Sequence, residues 1–223
     1  MALDFSRIEA VCFDVDGTLS DTDDLWVARL ERLFSPLRFL ARERDLRPAA
    51  RRLVMGLETP GNHVMTLLDQ VGLDGKFETL RSSLARWQGR KPARFWIIER
   101  SLELLVTLRR HYPLAVVSAR DAATTTAFLD QFGLGGYFET VVTSQTCRHT
   151  KPFPDPVLFA AKKMRVDPTC CLMVGDTTVD IRAGKAAGAQ TLGVLCGFGE
   201  KKELLRAGAD LILPTPAGLL SLL

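Results

Sequence analysis

The sequence of 223 residues lacks any stretch long and apolar enough to cross a bilayer. Its most apolar end, Leu211 to Leu223, is too short and is broken by Pro214 and Pro216, so it reads as a last strand and a short helix. Nor does the chain open on a secretory signal, because Met1 to Glu9 carries acidic residues and only a short apolar run precedes Asp14. No C-x-x-C pair occurs among the five cysteines (Cys12, Cys147, Cys170, Cys171 and Cys196), and an odd number does not complete a disulfide framework. Reduced thiols that pack as small hydrophobes, in a cytoplasmic setting, are expected. A formal net charge of +3 is too small to indicate a nucleic-acid partner, and no basic stripe alternates with aromatics. His63, His111 and His149 are too scattered for a metal site, and internal repeats and low-complexity tracts are missing as well.

What is present is a hydrophobic content of 47%, enough at this length to bury a full core in one large domain or in one domain carrying an insertion. Ala10 to Phe13 is a short apolar run ending at Asp14, and Asp16-Gly17-Thr18 is turn chemistry, so a buried strand presents a loop at its carboxyl end. Between about Leu25 and Arg90 the pattern predicts helices only: Leu25–Phe34, Pro48–Met55, His63–Val71 and Phe77–Trp87. Eight arginines between Arg29 and Arg52 crowd this block, which reads as a solvated helix face or as a surface attracting an anionic substrate.

After Pro92 strands and helices alternate. Helices are predicted over Phe95–His111, Thr124–Phe132, Asp155–Met164, Val179–Ala187 and Lys201–Ala207. Strands are predicted over Leu114–Ser118, Thr140–Thr143, Cys171–Val174, Thr191–Leu195 and Asp210–Leu213. Such alternation implies right-handed crossovers and an α/β fold, a doubly wound and mostly parallel sheet covered on both faces. Polar groups at the carboxyl ends of its strands converge on one crevice. That rule brings Asp14, Asp16, Ser118, Asp176 and Lys151 together.

Asp14 and Asp16 lie two apart at a strand end, where buried carboxylates repel one another unless a cation or a proton relieves them. Gly175-Asp176 and Asp180 repeat the design after a second apolar strand, and oxygen ligands of this kind suit magnesium. Helix capping is the plain structural alternative for Asp180. The Ser118 hydroxyl with the Ala119 amide offers donors to phosphoryl oxygens, and Lys151, ahead of Pro152 and Pro154, offers a neutralising ammonium.

In this order DVDGTL, Ser118, Lys151 with the KPFPDP that it opens, and GDTTVD resemble the four motifs of the haloacid dehalogenase-like superfamily, in its phosphoglycolate phosphatase-like branch. The resemblance implies an α/β core domain over residues 1–20 and 92–223 with an all-helical cap inserted at 21–91. It implies a phosphatase that hydrolyses a small phosphate ester, phosphoglycolate-like or a sugar phosphate, with no membrane partner and no particular oligomeric state. Asp14 is then the nucleophile that forms a phosphoaspartate, and Asp16 the general acid and base. Ser118, Ala119 and Lys151 hold the phosphoryl group. Magnesium is held by Asp14, the Asp16 carbonyl and Asp176, with Asp180 as an outer ligand or a support for Lys151. A phosphomutase on the same core and a non-catalytic binding protein are the rival readings, and the loop Gly56 to His63 is a candidate for reaching the site from the cap.

Overall fold

The computed structural model describes residues 3–21 and 95–222. They belong to one of the two units into which the chain divides, Met1–Asp23 with Phe95–Leu223. The four helices predicted between Leu25 and Trp87, the arginine-rich segment and the Gly56 to His63 loop lie outside the described residues.

Six strands, β1 (Ala10–Phe13), β2 (Leu114–Val117), β3 (Thr140–Val142), β4 (Cys171–Gly175), β5 (Gln190–Val194) and β6 (Leu211–Leu213), form one sheet in the order β3-β2-β1-β4-β5-β6. Every pairing is parallel, with β1 between β2 and β4: Val11 pairs with Leu114 and Ala10 with Cys171. Five α-helices accompany the sheet among the described residues: α1 (Ser101–Leu108), α2 (Ala122–Gln131), α3 (Asp155–Met164), α4 (Thr178–Ala186) and α5 (Lys201–Ala207). The α/β class and the parallel sheet agree with the alternation read from the sequence.

The two-residue period of a strand sorts its side chains onto opposite faces. Val11, Phe13, Leu114, Val116, Leu172 and Val174 join Leu104 and Leu105 of α1 and Phe128 and Leu129 of α2 in one core. Their sequence neighbours Ala10, Cys12, Ala115, Val117, Cys171 and Met173 meet Val157, Ala160 and Ala161 of α3 and Ala183 of α4 in the other. This second face is built largely of alanine, cysteine and valine, so α3 and α4 pack close against the strands. All four residues of β1 are buried, which explains its unbroken apolar run.

Most elements start or stop within two residues of their predicted limits, and α3 and α5 coincide with them. The helix predicted over Phe95–His111 is a larger miss, since α1 begins only at Ser101 and ends at Leu108. The main chain before it is used elsewhere. Phe95 exchanges both of its backbone bonds with the Gln131 amide, Asp21 N–H donates to the Trp96 carbonyl, and Ile98 N–H donates to the Leu19 carbonyl. Arg100, at φ 60°, then turns the chain into the helix. All five cysteines are free thiols, and no helix among the described residues is long and apolar enough to cross a membrane.

Candidate active site

Because the strands run parallel, their carboxyl ends share one edge of the sheet. Asp14 follows β1, with its N–H donating to the Val174 carbonyl of β4, and Ser118 follows β2, with its N–H donating to the Val142 carbonyl of β3. Asp176 follows β4, and Asp180 lies in the first turn of α4. Lys151 precedes α3 and is joined to Pro152 by a cis peptide bond.

Asp14, Asp176, Asp180 and Lys151 are all buried. The Lys151 ammonium donates to Asp14 Oδ1 at 2.6 Å and to Asp180 Oδ1 at 2.5 Å. The other Asp180 oxygen accepts from Thr177 N at 3.0 Å and Thr177 Oγ1 at 2.6 Å, closing a capping box on α4. Asp180 thus closes the capping box with one oxygen and contacts Lys151 with the other.

Ligand oxygens of Asp14, Asp176 and Asp180 lie within 4.8 Å of one another. Three buried carboxylates facing one ammonium leave an excess of negative charge. Burial pushes the Asp14 carboxyl up to about 7, the charge of Lys151 opposes this, and Asp180 and Asp16 add to it. For Lys151, burial works against the charge, but Asp14 and Asp180 outweigh it and hold the ammonium above its ordinary range. A compact set of hard oxygen donors, short of positive charge, fits a divalent cation such as magnesium or calcium.

Asp176 is held by partners of its own. Phe198 N–H donates to its Oδ2 at 2.7 Å and Thr18 Oγ1 to its Oδ1 at 3.3 Å. Gly17 and Gly197 pack against its carboxylate so closely that a Cβ at either position would collide with it. Gly17 also sits at φ 72°, in the left-handed region.

Asp16 is not part of the acidic triad. Its two oxygens accept from Arg120, Oδ2 from Nε at 2.6 Å and Oδ1 from a terminal guanidinium nitrogen. Arg120 lies two residues beyond Ser118, and its N–H donates to Ser118 Oγ at 3.1 Å. Sequence reasoning missed Arg120, Thr18 and the Gly197–Phe198 turn. The detectable signal was position, since Arg120 and Gly197 both follow strands whose carboxyl ends form this edge.

The haloacid dehalogenase-like hydrolase profile matches residues 11–194, which includes every site residue named above except Gly197 and Phe198. The chain belongs to this family. It is 32% identical over 208 residues to a phosphoglycolate phosphatase of Neisseria meningitidis, an alignment covering 87% of this chain and 83% of that protein. It is 30% identical over 191 residues to a pyrophosphatase of Bacillus velezensis, covering 84% of this chain and 83% of its relative. Among solved structures, a hydrolase from Pseudomonas syringae superposes with a TM-score of 0.69 at 26% identity, over 96% of each chain. This member of the haloacid dehalogenase-like family is an enzyme of the hydrolase class, and its curated relatives carry phosphatase names.

Proposed function

We propose that the chain is a magnesium-dependent phosphatase that hydrolyses a small phosphate monoester through a phosphoaspartate on Asp14. The observation that carries this reading is the pairing of Asp14, buried at the end of the central strand, with Lys151 at 2.6 Å inside a triad of carboxylates. An Asp14 oxygen attacks phosphorus, the bond from phosphorus to the ester oxygen breaks, and Asp16 gives that oxygen a proton so that an alcohol departs. Water then attacks phosphorus and passes a proton to Asp16, the bond from phosphorus to the Asp14 oxygen breaks, and inorganic phosphate departs with Asp14 restored.

Lys151 neutralises the transferring phosphoryl group, while Ser118 Oγ and the Ala119 N–H donate to its oxygens. Asp14, Asp176 and the Asp16 carbonyl would hold magnesium, which supplies charge to the phosphoryl oxygens and permits Asp14 to stay ionised beside Asp180. Asp180 keeps Lys151 in place. Residues 21–91 are assigned the role of the helical cap domain that the family resemblance implies. The substrate class that fits is a small ester, phosphoglycolate-like or a sugar phosphate, and free thiols fit a reducing, cytoplasmic compartment.

Phosphate release from p-nitrophenyl phosphate and from a panel of natural esters, with and without magnesium, tests the reading on the wild type and on Asp14→Asn. Release that requires magnesium and vanishes in Asp14→Asn is expected, together with a phosphorylated Asp14 peptide after acid quench. Equal release by both proteins would overturn the mechanism. Rearrangement of a sugar monophosphate without stoichiometric phosphate release would favour a mutase.

A further inference from the structure

The ion pair between Arg120 and Asp16 is at odds with one step of the proposed reaction. Both Asp16 oxygens are engaged by the guanidinium fork, so the carboxylate is not available to a leaving oxygen while it stays on Arg120. The first half of the reaction therefore needs Asp16 to come off Arg120.

Of the two partners, Arg120 is the fixed one. Its side chain is 12% exposed against 30% for Asp16. Its guanidinium lies 5.3 Å from the centre of the Phe95 ring and 6.0 Å from that of Phe128, its N–H is held by Ser118 Oγ, and its carbonyl accepts from Ser144 N–H. Asp16 has to approach within about 3 Å of the leaving oxygen to protonate it. Since Arg120 touches Asp16 already, whatever the leaving oxygen carries lies within one side chain's reach of the guanidinium. A carboxylate or a second phosphate there matches the same fork that Asp16 occupies. A neutral substituent has nothing to offer it.

We propose that Arg120 is a specificity residue: a second anionic group on the leaving side of the substrate takes the place of Asp16 on the guanidinium and releases Asp16 to act as the acid. The inference rests on the phosphatase reading and narrows its substrate to esters or anhydrides whose leaving group is itself an anion. The preference is then a property of the acid step as well as of binding, so it shows in kcat and in KM. Carboxylate and phosphate share the chemistry that Arg120 recognises.

Three substrates separate the sources: phosphoglycolate, inorganic pyrophosphate and the uncharged analogue ethyl phosphate, each measured for kcat and KM with wild type, Arg120→Lys and Arg120→Met. The readout is the ratio of kcat/KM for each anionic substrate to that for ethyl phosphate, which a general loss of activity leaves unmoved. Loss of a charge-assisted bidentate contact lowers the favoured ratio by about ten- to a hundred-fold in Arg120→Met. Arg120→Lys, which keeps the charge without the fork, falls in between, and it carries the test alone if the methionine variant does not fold. Whichever anion shows the larger wild-type ratio identifies the group recognised. Wild-type ratios near one for both anions, or ratios unchanged in the variants, would overturn the proposal while leaving the phosphatase reading intact. No phosphate from any of these substrates or from p-nitrophenyl phosphate would overturn both.

Discussion

Asp180 ties Lys151 to the first turn of α4, with one oxygen 2.5 Å from the ammonium and the other 2.6 Å from the Thr177 hydroxyl. A single carboxylate thus couples a helix start to the site's positive charge. Asp180→Asn keeps an acceptor for Thr177 but sets its amide NH2, a donor, against the Lys151 ammonium, whereas Asp180→Ala loses the acceptor for both. We expect the alanine variant to lose about 2 to 4 kcal/mol and the asparagine variant about 1 kcal/mol less, the worth of the retained cap. Both are expected to show reduced kcat. Urea denaturation beside steady-state kinetics checks the separation, and equal destabilisation of the two variants would argue against it.

Removing the cation is more damaging than removing either of its partners. Lys151→Met leaves Asp14 and Asp180 buried and facing one another with no ammonium between them. A loss of about 3 to 5 kcal/mol is expected in metal-free buffer, because the remaining charges are buried and uncompensated. Magnesium recovers more of that loss in the variant than it adds to the wild type. Thermal melts of both proteins with and without magnesium measure the difference.

The raised pKa of Asp14 predicts how metal binding depends on pH. With the folded carboxyl at about 7 against an ordinary value of 3.8, the metal-free protein keeps a proton on Asp14 that the unfolded chain has already lost. Stability of the metal-free protein therefore falls as pH rises from about 3.8 towards 7 and levels off above it. Below about 7 a metal ion must displace that proton. Magnesium affinity should then weaken by up to roughly tenfold per pH unit below that value. Calorimetric titrations at pH 6 and pH 8, in buffers of different ionisation enthalpy, reveal both the affinity change and the proton released.

Much of this arrangement was legible in the chain because its cause is local. Asp14, Ser118 and Asp176 each follow an apolar run of strand length, and the rule that parallel strands share a carboxyl edge was enough to collect them. Lys151 was located by the prolines that precede α3. What escaped depends on contacts between distant segments. Arg120 is one of many arginines in sequence, and only the fold places it on Asp16 beside two phenylalanine rings. The overlong prediction for α1 failed for the same reason: Phe95 has helical periodicity, but Gln131 takes both of its backbone groups. Periodicity reports which face of a segment is apolar and carries no information about such a partner.

The turn after β5 offers a check on the part of the site that sequence did not reveal. Gly197→Ala places a methyl group against the Asp176 carboxylate, and either the turn or the acid must shift. Displacing a proposed ligand in this way is expected to weaken magnesium binding by about ten- to a hundred-fold. Saturating magnesium should restore part of the lost kcat. Activity measured against magnesium concentration reads this directly, and an unchanged half-saturation point would show that the turn does not set the position of Asp176.

The central place of β1 also bears on how the protein is made. Its strand partners begin at Leu114 and Cys171, so the segment carrying Asp14 is synthesised early and has no neighbour to pair with until much of the chain has followed. At ordinary rates of translation that interval is roughly ten seconds, during which an apolar strand waits without either of its ladders. Substitutions that slow the docking of β4 should then reduce the yield of soluble protein from cells more than they reduce the activity of the molecules that fold.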